Sequence, residues 1–129
     1  GNDIVFGHYR LIREKDGNKD TVWTADIGPK RGLEGAWPEY VFWDAEVEND
    51  TIYVLYRVRQ YGRVDAVRKD ATGHWRTVMS EVMDDRGRLS CTGKLVHAAG
   101  TLTIVFTYKD GRRETWRVLD GSLGKVEDE

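Results

Sequence analysis

Short runs of β-branched and aromatic residues recur along the chain, separated by turns rich in Gly, Asn and Asp. Each run is about six to ten residues long and helical periodicity is nearly absent, a pattern typical of strands. The predicted strands are Val5–Glu14, Thr21–Ile27, Tyr40–Glu48, Thr51–Arg59, Arg63–Lys69, Trp75–Val82, Leu89–His97, Thr101–Tyr108 and Arg112–Leu119. The pattern therefore predicts an all-β fold of consecutive antiparallel hairpins.

The clearest hairpin turns at Asn49-Asp50. A two-residue turn there aligns the apolar residues of both strands on one face and places Trp43 opposite Tyr56. The residues of that predicted face are Val41, Trp43, Ala45, Val47, Ile52, Val54, Tyr56 and Val58. The opposite face is predicted to carry Asp44, Glu46, Tyr53, Arg57 and Arg59.

The next connection is predicted as a three-residue loop, Gln60-Tyr61-Gly62, in which Gly62 takes the left-handed conformation. This register places Arg57 opposite Asp65 and predicts an ion pair between them. A two-residue Tyr61-Gly62 turn would place Asp65 on the apolar face, where an unpaired carboxylate is costly. We therefore prefer the longer loop.

A second three-residue loop is predicted at Lys109-Asp110-Gly111, where it pairs Ile104 with Trp116 on another apolar face. Cys91 falls on the same layer and is predicted to be a small core residue. Because Cys91 is the only cysteine of the chain, no internal disulfide and no cysteine-based zinc site is expected.

The chain of 129 residues has the length of one domain, which we assign to residues 1–129. A meander with one apolar face must close on itself or stack to hide that face. We predict a closed or partly closed up-and-down barrel of about eight or nine strands, with a β-sandwich or propeller-like blades as alternatives. The segment Gly28–Glu39 holds both prolines and is predicted to be a functional loop.

Charge and composition exclude several classes of partner. With 20 Lys or Arg against 22 Asp or Glu and a formal net charge of -2, we expect no nucleic-acid partner. The three histidines lack paired ligand spacing, so neither a metal nor a cofactor is expected. No apolar run approaches the length of a membrane span. The absence of an initial Met is interpreted as removal of a secretion signal, which predicts a soluble, extracytoplasmic domain.

Two short segments resemble lipocalin-like barrels. Gly7-His8-Tyr9-Arg10-Leu11 is similar to the Gly-x-Trp-x-Leu opening of that family, with Tyr9 in place of Trp. Glu114-Thr115-Trp116-Arg117-Val118 is similar to the closing strand, whose Arg covers the opening aromatic residue at the barrel base. The resemblance implies a barrel that holds a small apolar or amphipathic molecule.

Three other segments resemble the Asp-box turns of sialidase-type propellers, which read Ser-x-Asp-x-Gly-x-Thr-Trp. They begin at Lys15-Asp16-Gly17, at Lys69-Asp70 and at Lys109-Asp110-Gly111, and each runs on to a Trp. All three lack the Ser and differ in spacing. This resemblance implies propeller-like blades, although a complete propeller needs more chain than this unless several copies assemble.

The densest aromatic segment, Trp37-Pro38-Glu39-Tyr40-Val41-Phe42-Trp43, joins the long loop to the Asn49-Asp50 hairpin. Several of its aromatic residues fall off the predicted apolar face and are suited to stack on a sugar or another flat ligand. The predicted ligand-binding residues are Trp37, Tyr40, Phe42, Tyr53 and Arg57.

Three functions stay open from the sequence. The first is a small binding domain that holds an apolar or amphipathic molecule inside a barrel. The second is a protein or glycan interaction module, with self-assembly as one form. The third is a carbohydrate-active fragment with Asp44 and Glu46 as its acids, ranked last because neighbouring arginines oppose the raised pKa that a general acid needs. The sequence thus favours a binding role over catalysis.

Overall fold

The computed structural model describes residues 2–7, 10–24, 40–58, 61–83, 91–98, 100–119 and 122–126, and within them no helix is present. The described strands are β1 (Asn2–Gly7), β2 (Arg10–Lys15), β3 (Asn18–Thr24), β4 (Tyr40–Glu48), β5 (Thr51–Val58), β6 (Tyr61–Lys69), β7 (Trp75–Met83), β8 (Cys91–Ala98), β9 (Thr101–Tyr108), β10 (Arg113–Leu119) and β11 (Ser122–Lys125). The predicted all-β fold is confirmed.

The strands form three antiparallel meanders. Sheet A consists of β1, β2 and β3, sheet B of β4 to β7, and sheet C of β8 to β11, each in chain order across the sheet. No closed barrel is found among the described strands, because the hydrogen-bonded ladders end at the edges of each sheet.

Two differences raise the number of strands from the nine predicted to the eleven described. The predicted strand Val5–Glu14 is two antiparallel strands, since β1 and β2 pair with each other from Gly7 and Arg10 onward. No typical turn dipeptide lies between β1 and β2. The apolar pattern therefore predicts one continuous strand where the structure has two. Strand β11 was not predicted, because its four residues are too few to show a period.

Two predicted turns are confirmed. Glu48 pairs with Thr51 across the two-residue Asn49-Asp50 turn, and Asn49 has a positive φ of 56°. In the Lys109-Asp110-Gly111 loop, Gly111 has a φ of 92°, which a left-handed position at the end of such a loop requires. The predicted pairing of Ile104 with Trp116 beyond that loop is also confirmed.

The predicted register of β4 against β5 is correct near the turn and wrong beyond a bulge at Trp43. The pairs that form as predicted are Val47 with Ile52 and Ala45 with Val54. Upstream, Phe42 instead of Trp43 lies opposite Tyr56, and Val41 lies opposite Arg57. A bulge inserts one residue and so reverses the side-chain alternation behind it. Trp43 therefore packs on the opposite face of sheet B from Tyr56.

Sheet B lies between the other two sheets and is apolar on both faces. The core between sheets A and B consists of Leu11, Val22, Trp23, Ile52, Val54, Tyr56 and Val67, with Phe42, Ala45, Val47, Val58 and Trp75 packed around it. The core between sheets B and C consists of Leu55, Val64, Ala66, Met79, Met83, Leu95, Leu102, Ile104, Phe106 and Tyr108. Cys91 packs partly buried against this second core.

Neighbouring sheets contact each other mainly through strands at the same end of their meanders. Strand β8, the first of sheet C, packs against β4, the first of sheet B, and also against β5. Strand β7, the last of sheet B, packs against β3 and β11, the last strands of sheets A and C. The chain passes from the last strand of one sheet to the first strand of the next at residues 25–39 and 84–90.

Sheets B and C approach each other closely at Gly93. A Cβ atom there would lie 2.7 Å from Trp43 Cε3, 2.8 Å from Leu55 Cδ2 and 3.1 Å from Phe106 Cε1. The rings of Trp43 and Phe106 themselves meet edge to face, with centroids 5.4 Å apart. Because these neighbours belong to a packed core, even a methyl group at position 93 must displace them.

We expect Gly93→Ala to lower the free energy of unfolding by about 1–3 kcal/mol, as overpacked cores do, although Ala suits a strand better than Gly. Urea unfolding measures the change. Thr92→Ala, at the exposed neighbouring position, is the control and should stay within about 0.5 kcal/mol of the parent protein. A Gly93→Ala protein as stable as the parent would show that the sheets are not in contact here.

Candidate functional site

The loop between β5 and β6 differs from the prediction. Val58 lies opposite Tyr61, so the connection consists of residues 59–60 and the predicted loop Gln60-Tyr61-Gly62 is wrong. Arg57 lies opposite Gly62, and Asp65 lies opposite Val54. The predicted cross-strand pair of Arg57 with Asp65 is therefore wrong as well.

Asp65 lies in the core between sheets A and B with only 7% of its surface exposed. Its Oδ2 accepts hydrogen bonds from Trp23 Nε1 at 2.6 Å and from Tyr56 OH at 2.9 Å. Its Oδ1 accepts a third from Ser80 Oγ at 2.7 Å. These donors replace water around the carboxylate, which makes its position on an apolar face tolerable. Because Trp23 belongs to β3, the cluster also joins sheet A to sheet B.

Asp44 joins sheets B and C. Its Oδ1 accepts a hydrogen bond from the Ala45 amide and its Oδ2 one from the Leu95 amide, both at 2.8 Å. Leu95 lies on β8, an edge strand that is hydrogen-bonded to β9 on one side only. Asp44 therefore accepts a hydrogen bond from an amide that has no partner strand on its side of β8. Farther along the same strands, Glu48 Oε2 lies 3.4 Å from His97 Nε2. Asp44 thus links the two sheets through backbone amides, where the sequence predicted neighbouring arginines.

The turn between β6 and β7 is organised by the half-buried Asp70 carboxylate. Asp70 Oδ1 accepts hydrogen bonds from the Thr72 hydroxyl at 2.7 Å, the Thr72 amide at 2.9 Å and the His74 amide at 3.0 Å. Asp70 Oδ2 pairs with Arg76 Nε. The Thr72 hydroxyl, followed by Arg76, holds the pKa of Asp70 well below its ordinary value of 3.8. This turn immediately precedes Trp75 and fixes where β7 begins.

An open cleft of about 450 Å³ lies between sheets A and B, where the β2–β3 turn and the β4–β5 turn meet strands β6 and β7. We call it the first cleft. Its lining residues are Arg13, Lys15, Asp16, Asn18, Asp20, Asn49, Asp50, Arg68, Lys69 and Trp75. Four cations and three carboxylates thus surround a single aromatic ring.

The side chains of the first cleft are only partly paired with protein groups. Lys69 Nζ lies 5.8 Å from the centre of the Trp75 ring, and Arg68 Nε donates a hydrogen bond to Thr51 Oγ1 at 3.1 Å. Trp75 Nε1 and Arg13 Nε are buried, and neither has a hydrogen-bond partner in the described part of the chain. Two residues that line this cleft therefore each carry a buried donor without an acceptor.

A second cleft, of about 460 Å³, lies between sheets B and C. Its lining residues are Glu48, Asn49, Asp50, Thr51, Tyr53, Arg68, Val118 and Leu119. It combines a tyrosine ring and two aliphatic side chains with charged groups. The Asn49-Asp50 turn borders both clefts.

The predicted ligand-binding residues lie in different environments. Trp37, with the rest of the Gly28–Glu39 loop, falls outside the described residues, and Tyr40 is described only as the first residue of β4. Phe42 packs partly buried against the core between sheets A and B. Arg57 is half-buried on β5. Tyr53 packs against the other core and lines the second cleft.

Sequence reasoning missed the residues of the first cleft. Asp16 and Asp50 belong to turns and Asn18 directly follows one, and polar residues there need no further explanation. The sequence marks Trp75 only as the aromatic residue after an Asp-box-like turn and as the first residue of a predicted strand. The sequence shows that several turns are polar, but it does not show that they lie together around Trp75. That proximity arises from the packing of sheet A on sheet B.

Three further observations concern the class of protein. Within the described ranges, no group of three His, Cys, Asp or Glu side chains could hold a metal ion. No helix in those ranges is long and apolar enough to cross a membrane. Comparison of the chain with protein-family models, curated proteins and solved structures found no match. The two family resemblances therefore rest on their short segments, of which Gly7–Leu11 spans the reversal between β1 and β2.

The lowered pKa of Asp70 makes the β6–β7 turn sensitive to acid. Because this pKa is lower in the folded protein than in the unfolded chain, the ionised carboxylate contributes stability above the unfolded value. That contribution is lost as the pH falls through the lowered pKa. We expect Thr72→Val to raise the pKa of Asp70 toward 3.8, since the Thr72 hydroxyl has the largest effect.

Carboxyl-carbon NMR titration of Asp70 measures that shift. Thr77→Val, an equivalent exchange at an exposed position of β7, is the control and should leave the Asp70 titration unchanged. An identical Asp70 pKa in the parent and in Thr72→Val would contradict this description of the turn.

Proposed function

We propose that this protein is a non-catalytic carbohydrate-binding module whose ligand occupies the first cleft. The observation that carries the proposal is Trp75 on the side of an open, polar cleft. A sugar ring has apolar C–H faces that stack on an aromatic side chain, while its hydroxyl groups both donate and accept hydrogen bonds. The first cleft offers both kinds of contact.

The polar groups of the cleft suit a ligand rich in hydroxyl groups. Carboxylates and amides such as Asp16, Asn18 and Asp20 accept hydrogen bonds from hydroxyls, and the four cations donate to hydroxyl or carboxylate oxygens. A buried donor without a partner costs about 1–3 kcal/mol. A ligand oxygen that reached Trp75 Nε1 or Arg13 Nε after a small side-chain movement would recover that cost.

A carrier of apolar molecules is less well supported. The spaces between the sheets are filled by large side chains, among them Leu11, Leu55 and Phe106, each fully buried. The two described clefts are open and largely polar instead. An enzyme that uses Asp44 as an acid is also disfavoured, because that carboxylate already accepts hydrogen bonds from two backbone amides.

We further propose that the three sheets are consecutive blades of a propeller-like arrangement. Each sheet is a meander, corresponding strands of neighbouring sheets lie together, and the chain crosses from the last strand of one sheet to the first of the next. A two-sheet sandwich does not account for a central sheet with two apolar faces. In such a stack a cleft between neighbouring blades recurs, as the first and second clefts do.

Screening on an array of oligosaccharides identifies a ligand, and titration calorimetry measures the variants. We expect Trp75→Ala to weaken binding by about 1–3 kcal/mol, roughly 5- to 150-fold, through loss of the stacked ring. Asn18→Ala should weaken binding by about 1 kcal/mol through loss of hydrogen bonds. Because Asn18 is exposed, this second variant separates binding from folding.

Tyr61→Ala, which removes an exposed aromatic ring that lines neither cleft, is the matched control and should bind as the parent does. Melting temperatures are compared for all variants. Failure of the parent protein to bind any oligosaccharide, or unchanged binding by Trp75→Ala and Asn18→Ala alike, would contradict the proposal.

A further inference from the structure

The first and second clefts are adjacent. Asn49 and Asp50, at the tip of the β4–β5 hairpin, and Arg68 on β6 line both of them. The geometry points to one extended groove that crosses three sheets and binds a linear oligosaccharide, with units in both clefts and Arg68 at the junction. This inference rests on the proposed function and specifies the class of ligand.

Arg68 is held in a position suited to a junction. Its Nε donates to Thr51 Oγ1 at 3.1 Å, and Thr51 is 5% exposed and lies directly opposite Arg68 in the sheet. A guanidinium group carries five N–H donors, so this bond leaves most of them for oxygens on either side. Because one end of the group is anchored, little conformational entropy is lost when a ligand binds.

The second cleft repeats the chemistry of the first with different residues. Tyr53 supplies an aromatic ring and Glu48 a carboxylate. Leu119 lies beside them with 45% of its surface exposed, which makes it an apolar contact for the face of a sugar ring. Ligand-binding sites typically combine an aromatic or aliphatic surface with a few polar groups, as the second cleft does.

The adjacency of the two clefts favours a chain over a single unit, and each cleft is large enough to hold one unit. Each has a volume of about 450–460 Å³, above the lower limit of roughly 300 Å³ for small-ligand pockets. A compact ligand in the first cleft would leave the second empty, whereas a linear ligand fills both across the shared residues. Binding of the second unit is then intramolecular and adds affinity without a second loss of translational freedom.

The test is affinity as a function of ligand length. The probes are neutral and uronic-acid oligosaccharides of about one to six units, printed on an array and then titrated in solution. We expect affinity to rise at least roughly tenfold from the shortest binding oligosaccharide to a length that fills both clefts, and then to remain constant.

Two variants assign the subsites. Leu119→Ala should weaken binding of the long oligosaccharides several-fold and leave the shortest unchanged, whereas Asn18→Ala should weaken binding of every length. Val82→Ala is the matched control for Leu119→Ala, because Val82 is a similarly exposed aliphatic residue that lines neither cleft.

The outcomes separate the extended groove from the proposed function. If all lengths bind with equal affinity, or if Leu119→Ala weakens the shortest oligosaccharide as much as the longest, the extended groove is wrong and the carbohydrate site in the first cleft stands. If no oligosaccharide of any length binds, both proposals are wrong.

Discussion

A carboxylate enters an apolar layer only if hydrogen-bond donors take the place of water, and Asp65 meets this requirement with three of them. Trp23, Tyr56 and Ser80 supply the donors from β3, β5 and β7. Ser80 Oγ in turn accepts a hydrogen bond from Arg63 at 2.8 Å. Hydrogen bonds to charged groups contribute about 1.5–3 kcal/mol each, and loss of one donor leaves a buried charge poorly solvated. The packing of sheet A on sheet B therefore depends on this cluster.

The contacts between the sheets determine where the clefts lie. Asp65 and the apolar residues around it hold the β2–β3 turn beside the β4–β5 turn, and the first cleft is the space between them. On the other side, the close approach at Gly93 and the bond from the Leu95 amide to Asp44 hold sheet C against sheet B. The second cleft lies along this interface between sheets B and C. The two clefts thus lie along the same interfaces that stabilise the fold.

Local patterns in the sequence predicted the elements better than their registers. The turns at Asn49-Asp50 and Lys109-Asp110-Gly111 were predictable because their backbone conformations favour particular residues. The bulge at Trp43 was not, since alternation carries no mark of an inserted residue. Asp65 was predicted on the polar face because an unpaired carboxylate is costly on an apolar face. The strand pattern could not show its donors, since Trp23 and Ser80 lie 42 and 15 positions away in the chain.

The candidate site was predictable only in part for the same reason. Tyr53 was predicted as a ligand contact from its position on one strand, and it lines the second cleft. Trp75 acquires its polar surroundings from turns that belong to two different sheets, so no window of sequence contains them. Sites formed between repeated sheets depend on how those sheets pack, which the pattern along one strand does not specify.

The Asp65 carboxylate couples sheet A to sheet B, and a double-mutant cycle of Trp23→Phe and Asp65→Asn, measured by urea unfolding, tests this coupling directly. The two side chains are in hydrogen-bond contact across the sheets, so we predict that their effects on the free energy of unfolding are non-additive by about 1.5 kcal/mol or more. Additivity within about 0.5 kcal/mol, as for distant independent sites, would contradict the claim.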